Sequence, residues 1–298
     1  MTEAGNLHLA IIGGGPGGYV AALRAASLGV KVTLLEADEL GGTCLNRGCI
    51  PSKILLHATE LYDQARNAAE FGILMDNPRF DLPAMVKNMD KIVSQLRKGI
   101  ELLFKGRGVT LIKGRGKLVS PTKIAVQTAE GEQIVEADKI IIAAGSYVAH
   151  PPIPGGDLPG VITSDEILWL EHLPASMVVI GGGAIGLEFG FRAAVLGSKV
   201  TIIEMLPQIL PSEDAEVATE IARVFRRRGV DIHTSAKVEN ISSVDGQMQV
   251  QFSAGEKSQT VAGEVVLMAA GRTPNTKDLG LEEIGMEMDR RLIKVNAR

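Results

Sequence analysis

Two stretches of this 298-residue chain repeat one design. Leu7–Ile12 reads as an apolar strand and Gly13-Gly14-Gly15-Pro16-Gly17-Gly18 as a tight turn. Tyr19–Leu28 reads as an Ala- and Leu-rich helix ended by Gly29, and Lys31–Glu36 as a second strand closing on an acid. The same order returns in Met177–Ile180, Gly181-Gly182-Gly183-Ala184-Ile185-Gly186, Leu187–Leu196 with Gly197, and Lys199–Glu204. Gly13 to Glu36 and Gly181 to Glu204 each span 23 positions, and Ala25-Ala26-Ser27-Leu28-Gly29 matches Ala193-Ala194-Val195-Leu196-Gly197. An internal duplication of strand, glycine turn, helix and strand predicts an α/β fold: two Rossmann-like domains, each with a parallel central sheet.

The turn chemistry points to dinucleotides. In each copy the first glycine (Gly13, Gly181) permits the tight turn, the second (Gly15, Gly183) lets backbone N–H groups approach a pyrophosphate, and the third (Gly18, Gly186) permits close packing. The helix behind presents its positive end. Glu36 and Glu204 are placed to accept hydrogen bonds from a ribose diol. A carboxylate at Glu204 repels a 2′-phosphate and Met205 offers no charge to offset it, so the second site is expected to prefer NAD over NADP. Arg192, on the helix, is the one nearby cation weighed against that preference.

The only two cysteines, Cys44 and Cys49, lie shortly after the first copy, in Gly41-Gly42-Thr43-Cys44-Leu45-Asn46-Arg47-Gly48-Cys49-Ile50-Pro51-Ser52-Lys53. A close pair with no other sulfur staple reads as redox chemistry. Gly41, Gly42 and Gly48 suit a tightly folded loop, and Lys53 supplies positive charge that favours a thiolate. Pro51 biases its predecessor away from the helix, which would let the thiols meet despite a spacing that fits a helical face poorly. A flavin can exchange electrons with both a thiol pair and a nicotinamide. Two dinucleotide sites and a dithiol therefore predict thiols, flavin and nicotinamide in series, with FAD at the first site and NAD at the second. The histidines (His8, His57, His150, His172, His233) are scattered and none joins the cysteines at ligand spacing, so no metal is expected.

Elsewhere Ser52–Phe71 is expected to be helical. A helix after Asp81, with Asp81 as cap and Pro83 in its first turn, carries apolar residues at 85, 89, 92, 96, 100 and 103, a core-facing stripe. Strands are expected at Val109–Lys113, Lys123–Gln127, Lys139–Ala143 and Glu264–Ala269, with a helix at Glu213–Arg228 whose terminal arginines suit its negative end. The prolines of Pro151–Pro159 mark a boundary. The domains read as 1–150 (FAD, with the redox pair), 151–272 (NAD) and 273–298 (the start of a return segment). A net charge of -4 predicts neither a nucleic-acid nor a membrane partner. With no basic leader or spanning apolar run, a cytoplasmic location is expected.

These residues resemble the flavin-dependent disulfide oxidoreductases, and most of all the dihydrolipoamide dehydrogenase branch. The resemblance runs through Gly41–Lys53, Ile140-Ile141-Ile142-Ala143-Ala144-Gly145-Ser146 and Ala269-Ala270-Gly271-Arg272-Thr273-Pro274-Asn275. Glutathione and mercuric reductases, the alternative along with a non-catalytic nucleotide-binding fragment, carry Val where Leu45 and Ile50 stand. The resemblance implies a disulfide between Cys44, which meets the substrate dithiol, and Cys49, which faces the flavin. It implies a Lys53–Glu188 ion pair near the flavin, Gly42, Thr43, Gly116 and Ser146 beside FAD, and Val238 and Gly271 lining the NAD site with the second glycine turn. It also implies a lipoyl-bearing protein or small dithiol as partner. Members of this family are homodimers and continue to a Gly-Asp motif and a dimerisation domain that supplies a His–Glu acid–base pair. The sequence ends at Arg298, so a truncated form with impaired activity is expected.

Overall fold

The structure is a computed structural model and describes residues 7–297. In chain order its first half holds β1 (His8–Ile12), α1 (Pro16–Ser27), β2 (Lys31–Glu36), α2 (Gly42–Arg47), α3 (Cys49–Asn67), α4 (Leu82–Arg107), β3 (Thr110–Lys113), β4 (Arg115–Ser120), β5 (Lys123–Thr128), β6 (Gly131–Glu136), β7 (Lys139–Ile142) and β8 (Ser146–Val148). The second half holds β9 (Val161–Ile162), β10 (Ser176–Ile180), α5 (Ala184–Leu196), β11 (Lys199–Ile203), α6 (Ala215–Arg227), β12 (Asp231–His233), β13 (Ala236–Val244), β14 (Gln247–Ala254), β15 (Lys257–Gly263) and β16 (Val265–Met268).

Two compact units result. Of the described residues, one comprises 7–50, 91–147 and 273–297, the other 51–90 and 148–272. The chain passes between them four times, inside α3, α4 and β8 and again after Arg272. Residues 51–90, placed with the first domain on sequence, group with the second unit.

In the first unit a parallel sheet runs in the order β3-β2-β1-β7, with His8 opposite Lys31 and Ile12 opposite both Leu35 and Ile142. Both faces of its inner strands β1 and β2 are buried, so these are nearly continuous apolar runs. The period of two still sorts them. Leu9, Ile11, Val32 and Leu34 pack with Ala22 of α1 and Ile100 and Phe104 of α4, whereas Ala10, Ile12 and Leu35 pack with Leu118, Ile124 and Val126 of the antiparallel sheet β4-β5-β6. The second unit repeats this plan. Its parallel sheet runs β12-β11-β10-β16-β9, and Val178, Ile180, Ile203 and Val266 face Ile241, Met248, Val250 and Phe252 of the antiparallel β13-β14-β15. In each unit the central strand (β1, β10) has the glycine turn at its C-terminal end, where the strand order reverses and α/β sheets bind ligands.

α4 departs from the expected stripe. Asp81 caps it, its carboxylate accepting the N–H of Ala84 at 3.0 Å. The buried line, however, is Leu82, Val86, Met89, Val93, Ile100 and Phe104, while Leu96 and Leu103 are exposed. α3 begins at Cys49 and gives way to a 3-10 turn over Ala68–Phe71, so the helix expected from Ser52 starts three residues earlier.

Candidate dinucleotide and thiol sites

Both glycine turns are built alike. Gly13 and Gly181 adopt left-handed backbone (φ +103° and +111°), and a Cβ on either would stand 2.3 and 2.4 Å from the carbonyl oxygens of Ala143 and Ala269. Gly18 and Gly186 pack onto the carbonyls of Gly13 and Gly181, leaving no room for a side chain. α1 and α5 begin at Gly15 and Gly183 with no side-chain cap, whereas α6 is capped by Asp214 accepting from Glu216 N–H. No capping side chain therefore takes the first-turn N–H groups of α1, whose first residue Pro16 has none, or of α5, as an anion site requires.

The acids do more than the spacing suggests. One oxygen of Glu36 accepts the N–H of Gly14 at 2.6 Å and the other that of Asp38 at 2.8 Å. In the second unit, Glu204 accepts from Gly182 at 2.7 Å and from Leu206 at 2.7 Å. Each carboxylate thus pins its own glycine turn. Burial pushes the Glu36 carboxyl above the ordinary 4.5, opposed by the Gly14 and Ala37 N–H groups and the charge of Arg47. Gly14 and Gly182 lie outside the triad of glycines singled out on sequence. The signal was present, since each sits 22 residues before its acid.

The residues present fit the two nucleotides: uncapped helix ends beside glycine turns for pyrophosphates, and a carboxylate at each adjacent strand end for ribose hydroxyls. Gly116, on β4, packs against Leu35 and Ile124, where a Cβ would come within 3.1 Å of each. Ser146 opens β8, after the Ala143–Gly145 crossover that Asn275 clamps by donating to the Ala144 carbonyl at 2.9 Å. Val238 lies on β13 at a register shift, packed against the second-unit core, and Gly271 accepts the N–H of Ala149 at 3.0 Å. Among the described residues Arg192 makes no ion pair with Glu204. It is buried in the second unit with one nitrogen 3.5 Å from the Ile167 carbonyl.

Thr43 and Cys44 sit in the short α2, and Cys49 opens α3. The break between these helices is Gly48. A Cβ there would lie 2.9 Å from the Thr43 carbonyl oxygen and 3.5 Å from the Cys44 Cα, so glycine alone lets the start of α3 fold against the Cys44 backbone. Pro51, expected to part the helix, instead sits in the first turn of α3, where its missing N–H costs nothing. The expected disulfide is not formed in the structure. Cys44 is half-buried and Cys49 exposed. The thiol loop is fastened to the first glycine turn: Gly41 N–H donates to the Gly14 carbonyl at 2.8 Å, and a Cβ on Gly42 would meet the Gly15 Cα at 2.6 Å. Within the second unit, Lys53 Nζ of α3 reaches Glu188 Oε1 of α5 at 2.6 Å. Arg228, expected only to face the negative end of α6, pairs with Asp63 at 2.8 Å and stacks over Phe191.

This combination of duplicated dinucleotide folds and an attached cysteine loop agrees with a family profile matched across residues 7–298, described as pyridine nucleotide-disulphide oxidoreductase. The chain belongs to that family. FAD and a pyridine nucleotide are the family's cofactors. Among its relatives, the mitochondrial dihydrolipoyl dehydrogenase of Pisum sativum is 46% identical over 285 residues, which cover 94% of this chain and 57% of that protein. The dihydrolipoyl dehydrogenase of Acholeplasma laidlawii is 39% identical over 97% of this chain and 84% of its own length. A Cu(II) complex of the HOCl-induced flavoprotein disulfide reductase RclA from Escherichia coli superposes with a TM-score of 0.84 at 33% identity, covering 97% of this chain and 62% of that one. The chain thus spans little more than half the length of the pea relative. Among the described residues no helix is long and apolar enough to cross a membrane, and no group of three or more His, Cys, Asp or Glu is placed to hold a metal.

Proposed function

We propose that this chain carries the FAD- and NAD-binding parts and the thiol pair of a dihydrolipoyl dehydrogenase-type oxidoreductase. The observation that carries the reading is the bond between the two motifs, Gly41 of the cysteine loop donating to Gly14 of the first glycine turn. Redox thiols gain nothing from that attachment unless the ligand of the turn takes part in their chemistry. FAD, when bound, supplies a two-electron carrier between a dithiol and NAD⁺.

The chain's own residues then have distinct tasks. Gly13, Gly15 and Gly18 with the N-terminus of α1 hold the FAD pyrophosphate, Glu36 takes its ribose, and Gly42, Thr43, Gly116 and Ser146 border it. Gly181, Gly183 and Gly186 hold the NAD pyrophosphate, Glu204 takes the adenosine ribose, and Val238 and Gly271 border it. Lys53, held by Glu188, presents a fixed positive charge one helical turn after Cys49. In the oxidised pair, a substrate thiolate attacks Cys44 Sγ and breaks the Cys44–Cys49 bond, leaving Cys49 as thiolate. The second substrate thiolate then closes the substrate disulfide and expels Cys44. Overall the dithiol loses two electrons and two protons; NAD⁺ takes both electrons with one proton as hydride, and one proton leaves to solvent.

A lipoyl-bearing protein or small dithiol is the proposed partner, supported by the names of the pea and Acholeplasma relatives. A cytoplasmic location is proposed because an exchanging thiol pair suits a reducing compartment. The pea relative is named as mitochondrial, and fractionation of the native protein decides between the two. The function is tested by reconstituting the purified chain with FAD and following NADH formation from dihydrolipoamide and NAD⁺. A yellow protein whose activity disappears in Cys44→Ser is expected. A chain that takes up no FAD would reduce the reading to a nucleotide-binding fold.

A further inference from the structure

Gly41 and Gly42, the turn that joins the thiol loop to the first glycine motif, are both left-handed, with φ of +98° and +56°. Two consecutive glycines lose more conformational freedom on ordering than any other pair, so the turn needs ties from outside itself. The side chain of Asn46 supplies them. Its Nδ2 donates to the carbonyls of Leu40 at 3.0 Å and Gly42 at 3.0 Å, one on each side of Gly41, and approaches that of Glu39 at 3.3 Å. Two N–H bonds serve three acceptors, so one is shared. The amide cannot be turned over, because Oδ1 would then face three carbonyl oxygens. As placed, Oδ1 is buried with no donor among the described residues.

That combination separates position from stability. An apolar residue of similar shape would remove the buried unpaired acceptor, yet only a side-chain amide of this length can bracket the glycine turn with donors. Cys44 lies midway between Gly42 and Asn46 in the same short helix. We infer that Asn46 is the positioning residue of the thiol loop: its amide ties the turn carrying Cys44 to the glycine motif through Leu40, Gly42, Gly41 and Gly14. The inference rests on the proposed reading of Cys44 and Cys49 as the exchanging pair. Arg47, paired with Asp38 across the same loop, is a second tie but leaves the glycines themselves untouched.

The test is alkylation of the reduced 298-residue chain with iodoacetamide, reading Cys44 and Cys49 separately by peptide mass spectrometry. Asn46→Leu and Asn46→Asp remove the donors, and Asn46→Gln keeps them one methylene further out. Cys44 is expected to react about tenfold faster or more in the Leu and Asp variants, the scale on which losing about one hydrogen bond opens a half-buried site, with Cys49 changed far less and Gln nearer to the parent. Cys44 rates within about twofold of the parent in folded Leu and Asp variants would overturn the inference. Circular dichroism reports folding. If both variants unfold, hydrogen exchange of the Asn46 side-chain amide in the parent protein decides by NMR. Slow exchange supports the tie, and exchange at the rate of a solvated amide overturns it. FAD uptake, read by absorbance in the same samples, is independent: a chain that binds no flavin removes the functional reading and leaves the alkylation comparison standing.

Discussion

Glu204 accepts the backbone N–H of Gly182 at 2.7 Å, and Glu36 stands in the same relation to Gly14 at 2.6 Å, both across 22 residues. The duplication is therefore carried down to a single hydrogen bond. In both units the acid at the end of the second strand, or one residue past it, holds the glycine turn in shape.

Replacing Glu204 by Ala tests this double role. Glu204 is 8% exposed, and its loss leaves the N–H groups of Gly182 and Leu206 without their acceptor. Unfolding by urea is expected to show a loss of about 1–3 kcal/mol, the cost of unpaired buried groups. NAD⁺ affinity should fall as well. NADP⁺ affinity should not rise to match the parent's NAD⁺ affinity, because Met205 brings no charge and Arg192 is buried against the Ile167 carbonyl. A variant as stable as the parent would show that Glu204 serves the ligand alone.

Glu36 introduces a pH dependence whose sign follows from its raised pKa. The folded chain holds this proton more tightly than the unfolded chain, so its contribution to stability is present on the acid side and lost as pH rises from 4.5 through the raised value. Glu36→Gln does not titrate. The urea midpoint of the parent minus that of the variant is expected to fall as pH rises across that window, and a difference independent of pH would refute it. FAD binding should weaken as pH is lowered into the same window, where the ribose loses an ionised acceptor.

Gly48→Ala addresses the approach of the two cysteines. The new methyl would meet the Thr43 carbonyl oxygen at 2.9 Å, backbone that cannot rotate away, so α2 and the start of α3 must separate. Overpacking of this kind costs about 1–3 kcal/mol. Closure of the Cys44–Cys49 disulfide by diamide, followed by mass spectrometry, is expected to slow. Closure at the parent rate would show that the junction does not set the distance between the sulfurs.

Arg192 is the opposite case, a group whose removal should help. Its side chain is 5% exposed, and two guanidinium nitrogens, Nε and one terminal nitrogen, have no partner among the described residues. Burial alone lowers its pKa to about 10. Arg192→Met keeps most of the volume and removes the unpaired charge, so a stability gain of about 1 kcal/mol or more is expected in urea unfolding. A clear loss would mean that the guanidinium has a stabilising role its geometry does not disclose.

Much of the protein was determined by short-range sequence. The two strand–turn–helix–strand copies, their parallel sheets and the acids Glu36 and Glu204 were legible because glycine turns, helix stops and period-two apolar runs act over a few residues of covalent chain. The cap at Asp81 was legible for the same reason. Tertiary structure decided the remainder. The buried face of α4 runs through Val86, Val93 and Phe104, not Leu96 and Leu103, because burial depends on what covers a helix and not on its period alone. Gly48, not Pro51, folds the two cysteine helices together, since the deciding contact is with the Thr43 backbone in the preceding helix. Arg192, read as a cation near a ribose, lies buried under the Ile167 carbonyl. Nothing in the sequence singles out Asn46; only the folded chain brings three carbonyls to its one amide.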